Sequence, residues 1–290
     1  MIRTTGLVTR YGSTEALKSV DLVVEAGSTY GLVGPNGAGK TTLLGILSGL
    51  RRPTSGSIEI DADHSRIAVL PDTPRFDPWL TGREVAELAQ RLTTGDGDRV
   101  EEVLSDAGLA DAMDRTVGGY SRGMLQRLGV ACTIVGQPSL VLLDEPASAL
   151  DPLGRREVLD LIGRLKGSAT ILFSSHILAD VQEVCDTVGI LDHGDLVFQG
   201  SVEALLVGQA VPRYLVRLRP PSDAVADALE QHHWVHAVEQ NGADELRVSV
   251  SSLDDAESKL VGALAGAGAK VISIGPEAVT LEQAFLEVTQ

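Results

Sequence analysis

Apolar residues along the chain fall into two patterns, compact runs and stretches at helical spacing. The compact runs are Thr29-Tyr30-Gly31-Leu32-Val33, Ile67-Ala68-Val69-Leu70, Ser139-Leu140-Val141-Leu142-Leu143 and Ala169-Thr170-Ile171-Leu172-Phe173. Runs this short and this continuous predict strands buried inside a sheet. Helical spacing appears in Leu43, Leu44, Ile46 and Leu47, stopped by Gly49, and in Val85, Leu88, Ala89 and Leu92, which share one face. Thr81 precedes the second of these with Glu84 three residues on, a capping box. After a loop near Gly95 to Gly97, another amphipathic helix is expected from about Asp98 to Ala107. A further helix carries Leu125, Leu128, Val130 and Ile134 behind Ser121 as its N-cap, and one more runs from Leu153 to about Leu165.

The flanks of this α/β pattern read differently. Met1 to about Leu22 predicts antiparallel strands about the turn Tyr11-Gly12-Ser13, and Ser57 to Ile60 a strand after the turn Arg51 to Gly56. Val188 to Leu191 and Leu196 to Gln199 read as a hairpin. Beyond about Leu206 come a strand at Tyr214 to Leu218, a helix at Ser222 to Gln231, strands at Val235 to Glu239 and Leu246 to Val250, a helix at Asp254 to Ala265 and a strand at Lys270 to Ile274. That order is β-α-β-β-α-β, ferredoxin-like, and a last helix is expected from Thr280 to about Val288. The expected division is an α/β domain over 1–206, with a helical subdomain over about 73–136, and a small α+β domain over 211–290.

Composition narrows the class. With 290 residues and 43% hydrophobic content, the chain can bury one large core and a second small one. No run reaches the roughly 18 apolar residues of a membrane span, and Met1-Ile2-Arg3-Thr4-Thr5 has no apolar signal core, so a cytoplasmic protein is expected. The net charge of -16 repels nucleic acid and anionic lipid alike, so neither is an expected partner and membrane attachment would run through another protein. Cys132 and Cys185 fall in predicted helices without metal-ligand spacing and read as reduced, packed thiols.

The chemistry begins at Gly34-Pro35-Asn36-Gly37-Ala38-Gly39-Lys40-Thr41, followed by Thr42. Strand, G-x-x-x-x-G-K-T and helix in this order form a phosphate-binding loop: glycines let backbone N–H groups close on an anion, and the helix N-terminus favours negative charge. Ser139 to Leu143 delivers Asp144 and Glu145 at a strand end, where paired carboxylates need a cation or a reaction to serve; a merely acidic turn explains the apolar lead-in poorly. Asp144 suits a magnesium ion, and Glu145 a general base on water. Ser174-Ser175-His176 ends the next strand, on the edge where open α/β sheets bind ligands, so His176 reads as a phosphate contact or as a satisfied structural histidine. Tyr11 reads either as a ring that stacks on adenine or as a partly buried strand-end residue.

Together, the loop, Tyr120-Ser121-Arg122-Gly123-Met124 before the Asp144-Glu145 strand, Ser148-Ala149-Leu150-Asp151 and His176 resemble the ATP-binding subunit of ABC transporters over roughly residues 2 to 206. The resemblance implies a P-loop NTPase fold with a mixed sheet core, an antiparallel β subdomain and a helical subdomain. It implies ATP and magnesium as ligands: Lys40 bridging the terminal phosphates, Thr41 on magnesium, Thr42 supporting the phosphates, Asp144 beside the metal, Glu145 orienting water, His176 on the γ-phosphate and Tyr11 on adenine. It also implies a dimer, with a second copy or a paralogous ATPase subunit, in which Ser121 and Gly123 complete the opposite subunit's phosphate site and Asp151 lies at the interface. Asp72 stands where the family usually has a glutamine that touches magnesium and senses the membrane subunit. The signature is YSRGM rather than LSGGQ, and the hairpin between Ile60 and Ile67 looks trimmed.

With the C-terminal appendage ending Thr280-Leu281-Glu282-Gln283-Ala284-Phe285-Leu286-Glu287, these features look like bacterial exporter subunits that work with a separate membrane permease, peripheral on the inner face of the membrane. The alternative function is a non-transport ABC ATPase acting on a soluble target. Such proteins usually carry tandem ATPase domains, coiled coils or basic surfaces, none of which this acidic chain offers.

Overall fold

The computed structural model describes residues 1–93, 98–148, 150–208, 213–219, 223–277, 282 and 285. These form two compact units, Met1–Val202 and a second from Glu203 onward. Ala149, the loop near Gly95 to Gly97, Ser222 and nearly all of the expected helix Thr280 to Val288 lie outside the described residues.

The first unit opens with β1 (Ile2–Tyr11), β2 (Thr14–Val20) and β3 (Val23–Val24), then β4 (Thr29–Val33) and α1 (Lys40–Leu47). Next come β5 (Ser55–Ile60), β6 (Ile67–Leu70), α2 (Gly82–Arg91), α3 (Val100–Asp106) and α4 (Arg122–Ile134). The chain returns through β7 (Leu140–Leu143), α5 (Pro152–Arg164), β8 (Thr170–Ser175), α6 (Leu178–Val184), β9 (Thr187–Asp192) and β10 (Asp195–Ser201), and α7 (Val202–Gly208) follows.

β1 pairs antiparallel with β2, β3 and β5, and its alternating buried and exposed positions mark a sheet with one solvated face. The other sheet runs β10-β9-β4-β8-β7-β6; β9, β4, β8, β7 and β6 are parallel, and only β10 is reversed. Every residue of β4, β7 and β8 is buried, as their unbroken apolar runs require. Leu43, Leu44, Ile46 and Leu47 of α1 join Leu7 and Leu17 of the antiparallel sheet and Leu32, Leu142 and Leu172 of the parallel one in a single cluster. A parallel sheet puts the C-terminal ends of its strands on one edge, so Val33, Leu70, Leu143 and Ser175 deliver their following segments to the same crevice.

Several expectations change. Ile60 and Ile67 do not flank a hairpin: β5 pairs with β1 and β6 with β7, so the link crosses between sheets through a short 3-10 turn at His64–Arg66. Val117–Gly119 is also a 3-10 turn. The capping box at Thr81 and Glu84 is present, but α2 buries Val85 and Ala86 and leaves Leu88 and Leu92 exposed, because its inward stripe is rotated toward 82, 85 and 86. Ser174 and Ser175 lie inside β8 rather than past it, and both are buried. Cys132 sits in α4, whereas Cys185 is the residue just after α6; burial pushes the Cys132 thiol up to about 12, which makes it a poor nucleophile.

In the second unit β11 (Arg213–Leu218), α8 (Asp223–Glu230), β12 (Val235–Asn241) and β13 (Glu245–Val250) precede a helical run from Leu253 to Gly266, with a π-helical stretch at Ala256–Leu260, and then β14 (Val271–Pro276). The sheet order β12-β13-β11-β14 is antiparallel throughout, and Val216, Leu229, Leu246, Val248 and Leu260 form its core. This is the β-α-β-β-α-β order read from the sequence.

Candidate functional site

Between β4 and α1, the loop from Gly34 to Gly39 turns so tightly that its glycines are dictated. A Cβ on Gly34 would stand 2.1 Å from the carbonyl oxygen of Leu191, and Gly39 adopts φ +110, a region closed to other residues at low cost. Gly39 is the N-cap of α1, and no side chain caps the helix. The first N–H groups of α1 therefore face the loop without a side-chain acceptor, the arrangement that binds anions.

Lys40 opens α1 and folds back over the loop. Its buried ammonium donates to the carbonyl oxygens of Gly34 at 2.7 Å and Pro35 at 3.3 Å, and lies 3.3 Å from Oε1 of Glu145. Glu145 follows β7 with φ +48, a strained backbone for a non-glycine residue, and such strain concentrates at functional sites. Its Oε2 lies 2.8 Å from Nδ1 of His176, delivered by β8, while Oε1 is buried without an aligned hydrogen bond. Lysine, glutamate and histidine from three strand ends thus meet at one point.

Ser174 holds the carboxylate pair in place. Fully buried, its hydroxyl donates to Oδ1 of Asp144 at 2.6 Å and accepts the backbone N–H of Glu145 at 2.9 Å. Asp144 is buried behind the loop. The sequence pattern marked Ser174 only as part of a polar strand end; its link to the carboxylates is a tertiary contact.

A cavity of ≈ 630 Å³ lies over this cluster, lined by Asn36, Gly37, Ala38, Gly39, Lys40, Thr41 and Thr42 together with Asp72, Arg122, Glu145 and His176. Gly34 and Pro35 serve it through their carbonyls on Lys40, whereas Asp144 is not on its wall and has its Oδ1 bonded to the buried Ser174. Thr41 is exposed to the cavity and Thr42 is nearly buried. Thr41 and Asp72 on the cavity wall, and Asp144 buried next to Glu145 in the chain, are hard oxygen donors, a chemistry that suits a magnesium ion better than a transition metal. Among the described residues, no three His, Cys, Asp or Glu side chains converge as a metal cage, so such an ion would need oxygens from a bound phosphate as well.

Ser121 and Gly123 are not brought to this cavity. Ser121 caps α4 by accepting the N–H of Met124 at 3.2 Å, and with Gly123, Leu150 and Asp151 it borders a separate cavity of ≈ 380 Å³. Tyr11 also stays off the cavity wall; it is 49% exposed, accepts a hydrogen bond from Nη1 of Arg51 at 3.0 Å, and has that guanidinium 5.9 Å from its ring centre. No helix among the described residues is long and apolar enough to cross a membrane.

Comparison with known proteins agrees with this geometry. The ABC transporter family matches residues 17–148. The chain is 37% identical over 246 residues to an ABC transporter ATP-binding protein, YxlF, of Bacillus subtilis (strain 168), covering 82% of each protein. It is 33% identical over 300 residues to the bacitracin transport ATP-binding protein BcrA of Bacillus licheniformis, covering 90% of this chain and 97% of that one. Among solved structures, an ATP-binding subunit of an ABC transporter superposes with a TM-score of 0.65 at 29% identity, over 71% of this chain and 91% of that one. With its phosphate loop, strand-end carboxylates and histidine in one crevice, the chain belongs to the ATP-binding proteins of ABC transporters and is an ABC-type ATPase.

Proposed function

We propose that this chain dimerises on ATP, with itself or with a paralogous subunit, and uses hydrolysis to drive a separate membrane permease of exporter type. The observation that carries the reading is the meeting of Lys40, Glu145 and His176 beside the loop. Lys40 would transfer from Glu145 to the terminal phosphates, and the freed Oε1 of Glu145 would take a proton from the attacking water while His176 holds Oε2 in place and faces the γ-phosphate. Thr42 and the first N–H groups of α1 would steady the phosphates, and Tyr11 would stack on the adenine. Thr41, Asp144 and Asp72 would hold magnesium, which when bound neutralises phosphate charge.

Dimerisation is supported by the separation of the two halves of the site: the loop lines one cavity, while Ser121, Gly123 and Asp151 border another. A second chain facing the first would bring its α4 N-terminus to the loop, and ATP would favour that closed state by binding it more tightly than the open one. Similarity to a bacitracin transport protein supports export of a drug-like or lipid-like cargo, and a permease would hold the complex at the inner face of the membrane. The test is co-purification of the chain with the multi-span protein encoded beside it, with ATP turnover measured alone and in the complex. Stimulated turnover in the complex is expected; a chain that neither dimerises with ATP nor associates with any membrane protein would refute the reading.

A further inference from the structure

The turn that presents His176 is held from behind. Ser175 ends β8, and its hydroxyl accepts the backbone N–H of Ile177 at 2.9 Å, so the residues on either side of His176 are joined. Asp180, in the first turn of α6, closes the turn: its N–H donates to the carbonyl of Ile177 at 3.2 Å, and its Oδ2 stands 3.5 Å from the Ser175 hydroxyl. Asp180 is 2% exposed, and a carboxylate so deeply buried needs a cation. Arg155 supplies it, donating from Nε to Oδ1 of Asp180. This arginine sits in the first turn of α5, where its own N–H donates to the carbonyl of Asp151 at 2.9 Å and Oδ1 of Asp151 accepts the N–H of Gly154 at 2.8 Å. The capped start of α5 is thus tied by one ion pair to the turn that carries the histidine. Neither Arg155 nor Asp180 lines the nucleotide cavity.

We propose that Arg155 and Asp180 are positioning residues for hydrolysis: their pair fixes the His176 turn so that the imidazole stays on Oε2 of Glu145. The inference rests on the reading of Glu145 and His176 as the groups that act on the attacking water, and it adds two residues outside the cavity that act only through the histidine. His176 is 42% exposed, and among the described residues its side chain has one polar partner, Glu145, so its place depends on the backbone beneath it. A misplacement of about 1 Å at a reacting group costs on the order of a hundredfold in rate. The groups that face a phosphate, Lys40 and the first N–H groups of α1, belong to a different segment of the chain, so loosening the turn leaves them where they are.

Phosphate release at saturating ATP and nucleotide titration, both on the full chain, test this. Arg155→Ala and Asp180→Asn should each lower kcat about tenfold or more while ATP affinity stays within about twofold of wild type. Arg155→Lys keeps a cation on Asp180 and should recover most of the rate. Asp180→Asn keeps the shape of the side chain and removes the buried charge, so it carries the test if Arg155→Ala, which strands that charge, does not fold. The deciding measurement is a double-mutant cycle: in a His176→Ala background, neither substitution should lower kcat by more than about twofold further, because the histidine they serve is gone. An equal loss in both backgrounds, an unchanged kcat beside an intact His176, or a matching loss of ATP affinity would overturn the proposal. His176→Ala alone separates the two levels. If it hydrolyses ATP as fast as the wild type, the reading of His176 fails and this inference with it; if it is slow while Arg155→Ala and Asp180→Asn are fast, the inference alone fails.

Discussion

The ammonium of Lys40 stands 3.3 Å from Oε1 of Glu145, with the two side chains only 6% and 12% exposed. The ammonium thus already faces one of the chain's own carboxylates, and a phosphate that draws on Lys40 would compete with Glu145 for it. On the proposed reading, binding and activation of the base would be one event, because drawing Lys40 away would free Oε1, which is buried against the ammonium. Glu145→Gln removes the competing charge and the base together. It should bind ATP at least as tightly as the wild type while hydrolysing it about a hundredfold more slowly or worse, on the scale of a lost general base. Nucleotide titration and phosphate-release assays on the same preparation measure both, and rapid turnover by this variant would remove Glu145 from its role.

Ser174 offers a second test, because one buried hydroxyl serves both carboxylate residues. Ser174→Ala would leave the N–H of Glu145 and Oδ1 of Asp144 each short of a partner. A loss of about 1–3 kcal/mol in unfolding free energy follows from stranding buried polar groups. Turnover should fall as Glu145 loses its fixed backbone, while ATP affinity, which depends on the loop, changes little. Urea denaturation with paired kinetics would show both. Wild-type turnover from a destabilised protein would mean that Ser174 supports the fold alone.

How much of this was legible in the sequence depends on the range of the interaction. The strands β4, β7 and β8 are readable because burial on both faces demands an unbroken apolar run, and the order of loop, carboxylates and histidine follows from strand ends sharing an edge. Helix α6 was legible only as an unbounded helix about Cys185: Leu178, Val181 and Val184 are buried at helical spacing, but seven residues are too few for the period to mark its ends. Ser174 and Ser175 end the apolar run, yet hydrogen bonds satisfy their hydroxyls well enough for β8 to continue through them. The Tyr11–Arg51 pair joins residues forty positions apart, and no local pattern announces it. Nor does any pattern announce that Arg122 reaches the nucleotide cavity.

Arg51 stands over one face of the Tyr11 ring and bonds its hydroxyl, and the residue is 49% exposed, so a base would have to take the opposite face. If that face receives the adenine, Tyr11→Ala should weaken ATP binding about tenfold, within the range for losing a base–aromatic stack. Tyr11→Phe keeps the ring and loses only the hydroxyl, so it should stay within a few-fold of wild type. Competition titrations with ATP would show the contrast. Equal binding by all three proteins would leave Tyr11 as a strand-end residue.

Glu84 allows a pH test in the helical part of the first unit. Its Oε2 accepts the backbone N–H of Thr81 at 2.7 Å and the Thr81 hydroxyl at 2.9 Å, and these bonds, the backbone one foremost, hold its carboxyl below the usual glutamate range. A carboxyl with a depressed folded-state pKa stabilises the fold fully above its unfolded value, near 4.3, and loses that contribution as the pH falls through the folded value. Glu84→Ala should therefore lower the urea midpoint at pH 7, with the gap to wild type narrowing as the pH drops from about 5 toward about 3. Glu84→Gln, which keeps an acceptor but cannot titrate, should lie between the two at pH 7 and show no change of its own over that window. A gap between wild type and Glu84→Ala that stays constant with pH would mean that packing of the side chain, rather than its charge on the first turn of α2, carries the effect.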